Sequence, residues 1–339
     1  MSDSKKIEGA IYEPALVAKL TLDSIKAEQA DPGYLSIGIE KFGTDFVMAR
    51  KSKVIGILGD TSQGKTSLMV HMAREMAKQL SGNEIGLFVT WEDNIEDFGM
   101  VDIANMSKIP VKSLYNGQVT ENQFGRMMNA ASKRAGTPLW LAGHSEMSEA
   151  RPMLTMEDIF FICSNLVNVQ KKTIKFVMLD YLQRINREDI KERDTRMQFV
   201  GIMDKVKNLA LSYRTCVFIG SQVRRDQVEK GTKDRQPQTH WAMETSNFEH
   251  SCDGMLSVWM PYMSKDIYKE GDSVDIKTGI DSKPITVTRE LIGIQILKQK
   301  KGATGARTWM DFVPEYGLFV EYGTAQQVRE KIKAEYENI

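Results

Sequence analysis

Nine consecutive residues, Gly59-Asp60-Thr61-Ser62-Gln63-Gly64-Lys65-Thr66-Ser67, constrain this chain more than any other stretch. They follow an apolar run at 53–58 and precede a segment, 67–80, in which Met69, Met72, Ala73, Met76 and Leu80 recur at helical spacing. Strand, glycine loop and helix therefore stand in order, the context in which G-x-x-x-x-G-K-[ST] binds phosphate. Each residue type has a reason. The glycines let the backbone turn so that successive N–H groups converge on phosphate oxygens, and the helix start adds its partial positive charge. Lys65 supplies a counter-charge for the β- and γ-phosphates, and the Thr66 hydroxyl is a ligand for Mg²⁺. Residues 59–67 are thus the candidate binding set for ATP or another nucleoside triphosphate with Mg²⁺.

The same alternation continues along the chain. Short apolar runs at 85–91, 174–179, 216–220 and 255–260 are separated by amphipathic patterns, one of which carries Phe199, Ile202, Val206, Leu209 and Tyr213 on one face. Crossover units of this kind predict an α/β fold built on a mostly parallel sheet flanked by helices. Both helical stripes are read as core packing. Pro14–Ala30, with Leu16, Val17 and Leu20 on one face, reads as a short helical arm that stops at Asp31-Pro32-Gly33. The expected organisation is an arm at 1–33, a nucleotide-binding body at 34–325 with a hairpin excursion at 264–290 before the strand 292–297, and a charged helical tail at 326–339.

Composition narrows the setting. Forty-five Lys and Arg balance 45 Asp and Glu, so no overall basic field points to nucleic acid, although a local groove remains open to it. Three dispersed cysteines, Cys163, Cys216 and Cys252, make neither a disulfide framework nor a cysteine-only zinc site, which suits a reducing compartment. The four histidines have no ligand spacing. No apolar run approaches the ~18 residues that would cross a bilayer and no signal peptide is legible, so a cytoplasmic protein without membrane contact is expected.

Hydrolysis needs more than the loop: an acid for the magnesium shell, a base for water and a stabiliser of charge on the transferred phosphate. Asp180 closes the apolar strand Phe176-Val-Met-Leu-Asp180, and Glu92 follows the strand Leu87-Phe-Val-Thr-Trp91. Each is also consistent with an ordinary solvated carboxylate at a strand end. Taken with Leu179-Asp180-Tyr181-Leu182-Gln183, Gly220-Ser221-Gln222-Val223-Arg224-Arg225 and Lys298-Gln299-Lys300-Lys301-Gly302-Ala303-Thr304-Gly305, however, these segments resemble, in order and over residues 35 to 322, the hexameric replicative helicases of the DnaB type. That resemblance implies a RecA-like P-loop motor with Glu92 as the base for water, Asp180 with Thr66 at the metal, and Gln222 as the sensor of the γ-phosphate. It also implies that Lys298 and Lys300 reach the nucleotide of a neighbouring subunit in a hexameric ring.

The sequence departs from the family in two places. Lys300 stands where the family usually carries an arginine, so a point charge replaces a planar fork. In Trp241-Ala-Met243-Glu244-Thr-Ser246-Asn-Phe-Glu249-His-Ser-Cys-Asp253, which resembles the loop facing DNA in the pore, Met243 and Ser246 replace the usual Arg and Gly. No collar domain or zinc-binding primase module is legible, as in compact phage or plasmid helicases. Arg224, Arg225 and Lys233, with Glu244 of the pore-loop segment, are the candidate contacts to single-stranded DNA; the interleaved Asp226, Glu229 and Asp234 equally allow a solvated loop of mixed charge. Two functions follow: an ATP-driven ring helicase on single-stranded DNA, with a primase or loader as a further partner, or a nucleotide-gated assembly ATPase without helicase activity.

Overall fold

The computed structural model describes residues 12–30, 33–42, 46, 49–148, 153–192, 194–223, 236–242, 246–264, 267–274 and 284–336. In chain order the elements are α1 (Pro14–Ala30), β1 (Val54–Gly59), α2 (Lys65–Ala77), β2 (Glu84–Thr90), α3 (Ile95–Ser107), α4 (Val111–Tyr115), α5 (Glu121–Ala135), β3 (Leu139–Ala142), α6 (Met156–Asn168) and β4 (Thr173–Asp180). They continue with α7 (Thr195–Ser212), β5 (Cys216–Gln222), α8 (Ser246–Ser251), β6 (Gly254–Trp259), β7 (Ser273–Val274), β8 (Ile285–Thr286), β9 (Leu291–Gln299), β10 (Arg307–Val313), β11 (Leu318–Glu321) and α9 (Ala325–Tyr336).

Nine strands form one sheet in the order β11-β10-β9-β6-β1-β5-β4-β2-β3. From β6 to β3 every neighbouring pair is parallel, and β9, β10 and β11 extend the sheet as antiparallel strands. This is the α/β architecture that the alternation predicts, with an antiparallel flank that the sequence pattern did not announce. β1 lies inside the sheet between β5 and β6, buried at all six positions, which is why it reads as an unbroken apolar run rather than an alternating one.

Side-chain alternation along β1 divides the core into two layers. Ile55 and Ile57 face the layer that holds Leu68, Met69, Met72, Ala73 and Met76 of α2, together with Phe176, Phe218 and Ile294. Val54 and Leu58 face the layer of α6 and α7, with Ile159, Cys163, Ile202, Val206 and Leu209. The methionine stripe and the Phe199–Leu209 stripe are therefore packing surfaces. Helix starts are set locally: Asn94 accepts the Asp97 N–H at 2.7 Å at the head of α3, and Thr120 and Thr155 close capping boxes at α5 and α6.

At α1, Leu16, Val17, Leu20, Leu22 and Ile25 are exposed. β7 and β8 pair as a separate two-stranded ribbon within 264–290. All three cysteines are buried and free. Among the described residues no helix is long and apolar enough to cross a membrane.

Candidate active site

Parallel strands place their carboxyl ends on one edge, and at that edge the sheet register assembles the site. Gly59 at the end of β1 is level with Gln222 at the end of β5, and Thr90 at the end of β2 is level with Asp180 at the end of β4. Crevices outside such strand ends are where open α/β sheets bind ligands.

The loop from Gly59 to Lys65 has the geometry its glycines permit. Gly64 has φ 79°, and a Cβ there would lie 2.9 Å from Ile292 Cδ1. A Cβ on Gly59 would approach Val258 Cγ1 to 2.6 Å. Neither position admits a side chain without displacement of its neighbour. Asp60 Oδ1 accepts the Thr61 N–H at 2.7 Å, and buried Gln63 accepts the Met260 N–H at 2.6 Å through Oε1. The Gln63 side chain thus ties the loop to the end of β6 and does not line the cavity described below.

Lys65 is 6% exposed. Burial pulls its ammonium below the ordinary lysine range, while the charges of Asp180, Glu92 and Asp60 pull it back up. Its Nζ also lies 4.2 Å from the ring centroid of Tyr181, a cation–π contact. Asp180 is 2% exposed, and burial drives its carboxyl up to about 6, against the lowering effects of a hydrogen bond from Thr66 and of the Lys65 charge. Its Oδ1 is buried and has no hydrogen-bond partner among the described residues. An orphaned carboxylate oxygen beside the Thr66 hydroxyl is the donor set that Mg²⁺ takes from protein when phosphates supply further ligands. The residues present therefore fit the metal.

Glu92 projects from the turn between β2 and α3 and is exposed. That turn is tightly held: Thr90 Oγ1 accepts the Asp93 N–H at 3.2 Å and donates to the Asp93 carbonyl at 3.0 Å, and Trp91 Nε1 donates to the Leu154 carbonyl at 2.8 Å. Beside it the Asp93 carboxyl is raised, first by desolvation and then by the charges of Glu92 and Asp97. Gln183 donates to Ser221 Oγ at 3.1 Å and accepts the Gln222 N–H at 3.3 Å, linking the turn after β4 to the end of β5. A cavity of about 430 Å³ is lined by the loop residues Asp60 to Ser62 and Gly64 to Ser67, by Glu92, Asp93, Tyr181 and Gln222, and on its far wall by Met260, Met263, Arg289, Phe312 and Pro314.

Lys65, Thr66, Glu92 and Gln222 are thus brought to line one cavity, with Asp180 buried beside Lys65 and Thr66 at the same sheet edge. Lys298 and Lys300 are not. They leave β9 beside the amino end of β6, where the Lys300 N–H bonds the Asp253 carbonyl at 2.9 Å and Lys298 Nζ donates to the Glu249 carbonyl. Asp253 in turn bonds Val54 at the start of β1, so a full strand separates these lysines from the loop of their own chain. Six residues at ~3.3 Å each put that separation on the order of 17–20 Å. Arg224, Arg225, Lys233 and Glu244 lie outside the described residues, as do Met243 and the side chain of Ser246.

Several residues of the site carried no separate signal in the sequence. Thr90 and Asn94, which hold the Glu92 turn, had no assigned role, and Tyr181 stood out only as a member of the segment around Asp180. Gln183 lay inside a diagnostic segment but had no assigned task.

Residues 35–321 match the family model of the DnaB-like helicase C-terminal domain. The chain belongs to this family. Two solved structures agree in fold. One, described as an ATPase domain, superposes with a TM-score of 0.69 at 18% identity, over 91% of this chain and 99% of that one. A DnaB-like replicative helicase, described together with its interactions with primase, superposes with a TM-score of 0.69 at 16% identity, over 88% of this chain and 65% of that one. A comparison with curated protein sequences gave no match. The architecture is that of the RecA-like motor domain of DnaB-like helicases.

Proposed function

We propose that this chain is the ATP-hydrolysing motor of a ring helicase that translocates on single-stranded DNA and separates duplex during replication. The observation that carries the proposal is the meeting of Lys65, Thr66, Glu92 and Gln222 around one cavity at the carboxyl edge of the sheet, with Asp180 buried beside Lys65 and Thr66. In this reading the loop N–H groups and Lys65 hold the β- and γ-phosphates. Glu92, exposed to the cavity's solvent, orients and deprotonates the attacking water. Thr66 and Asp180 would hold Mg²⁺, which would neutralise charge on the phosphate oxygens. Gln222 is one strand from the loop and opens directly into 224–235, so a change at the γ-phosphate has a short covalent path to the candidate DNA-binding segment. Lys298 and Lys300 act on a neighbour's nucleotide, because a strand length separates them from their own.

The helicase described with primase motivates a primase or loader partner for this chain as well. The second reading, a nucleotide-gated assembly ATPase, draws on Lys300, a point charge where a bidentate cation would act more strongly. The deciding measurement is the ATPase rate of assembled protein with and without single-stranded DNA. Stimulation together with salt-sensitive, sequence-indifferent DNA binding supports the helicase; neither, in protein confirmed to be assembled and nucleotide-bound, leaves the assembly ATPase. Mixing K300A subunits with E92Q subunits tests the trans arrangement, since interfaces pairing the two intact halves should recover turnover.

A further inference from the structure

The sheet edge opposite the phosphate loop gathers lysines around a single carboxylate. The Asp253 side chain is 5% exposed; its Oδ2 accepts the Val54 N–H at 3.1 Å and its Oδ1 accepts from Lys300 Nζ at 2.9 Å. Two further ammonium groups stand close, Lys53 at 3.8 Å and Lys207 at 3.9 Å. They come from separate places, Lys53 from the residue before β1, Lys207 from α7 and Lys300 from the end of β9. Burial alone would raise the Asp253 carboxyl, yet the Lys300 hydrogen bond, the Val54 amide and the charges of Lys207 and Lys53 bring it below the ordinary carboxylate value.

Among the described residues, one negative charge thus meets three positive ones within 4 Å. A structural ion pair needs one lysine; the additional pair adds mutual repulsion that the fold tolerates. Converging cations of this kind attract a polyanion. The three ammonium groups converge on one point, whereas a nucleic-acid track would spread them along a groove at the spacing of backbone phosphates. The fit is to a compact anion such as a triphosphate. It cannot be the chain's own, whose candidate site lies a strand length away. Lys300 has three N–H donors, of which Asp253 engages one, so the carboxylate can fix the ammonium and leave donors for a ligand.

We propose that Asp253 is the positioning residue for Lys300, and that Lys53 and Lys207 complete with Lys300 a cation set that receives the triphosphate held on the phosphate loop of a second copy of this chain. This rests on the trans reading above and extends it to residues outside the 298–305 segment. The test is steady-state ATPase of the assembled full chain with Mg²⁺. D253N, whose side-chain oxygen can still accept the Val54 N–H, should lower kcat about tenfold or more with KM little changed, and D253E should restore part of it. D253N subunits mixed with E92Q subunits should recover turnover, as K300A subunits do, because a positioning defect is confined to one side of the interface.

K53M and K207M, at half-exposed positions, should each lower kcat several-fold, and their double variant more, which decides the matter should D253N fail to fold. Wild-type kcat in D253N or in the double variant, while K300A is inactive, overturns this inference and leaves the trans reading standing. Failure of folded D253N to be complemented where K300A is complemented also overturns it. Wild-type turnover in K300A would instead remove the trans reading itself.

Discussion

Replacing Asp180 by Asn should stabilise the nucleotide-free protein, and the gain should depend on pH. Folding moves this carboxyl from an ordinary 3.8 to about 6, chiefly through burial, with the Lys65 attraction and the Thr66 hydrogen bond already acting in the opposite direction. At about 1.36 kcal/mol per pH unit, that rise amounts to on the order of 3 kcal/mol held against the ionised form. The sign follows from proton binding. Between pH 3.8 and about 6 the folded state binds more protons than the unfolded state, so stability falls as pH rises through that window, and the penalty is complete above it. Asn occupies the same volume with no charge to desolvate. D180N should therefore exceed the wild type by up to about 3 kcal/mol at about pH 8 and converge with it near pH 4. Urea unfolding followed by tryptophan fluorescence, without nucleotide or Mg²⁺, measures the gap at each pH. Adding Mg²⁺ and ADP should narrow or reverse it, because a cation beside Asp180 favours the charged carboxylate. An equal gap at the two pH extremes, or a D180N protein less stable at the alkaline one, would refute the reasoning.

Lys65→Ala should abolish nucleotide binding by calorimetry, since it removes the buried counter-charge of the phosphates. Glu92→Gln should bind nucleotide normally and turn it over on the order of 10²–10⁴ more slowly, as loss of a general base does; wild-type turnover would remove Glu92 from that role. Gly64→Ala should cost roughly 1–2 kcal/mol for its left-handed backbone alone, and more through Ile292, seen as a lower unfolding midpoint together with weaker nucleotide binding. Reversing Arg224 and Arg225 to Glu should remove the DNA-stimulated part of turnover, and removing one phosphate contact should flatten the log–log salt plot by about 0.7.

The phosphate loop, the parallel sheet and the strand-end acids were legible because each depends on local pattern: glycines at fixed offsets, apolar runs and a carboxylate at the end of a run. The antiparallel strands β10 and β11 were not, since Arg307–Val313 mixes Asp311 and Arg307 into an apolar run and its pairing is fixed only by contact with β9. Helices α3 to α5, between β2 and β4, were not legible from an apolar stripe, although Asn94 and Thr120 are ordinary helix-start signals. Asp253 was legible as a residue but not as a hub. Its partners Val54, Lys207 and Lys300 are remote in sequence, and only the sheet brings them together.

β6 joins the phosphate-loop edge of the sheet to the edge that carries Asp253 and its lysines. At one end Asp253 precedes it, bonded to Val54 and Lys300; at the other the Met260 N–H donates to Gln63 of the phosphate loop. Between these points β6 is hydrogen-bonded on both sides, to β1 and to β9. A strand laddered on both edges has little slack, so it acts as a strut of fixed length. Adding or deleting one residue would shift the two ends by ~3.3 Å and turn every intervening side chain to the wrong layer. In the ring proposed above, the strut would set the distance, within one subunit, between its own phosphate loop and the lysines that meet a neighbour's nucleotide.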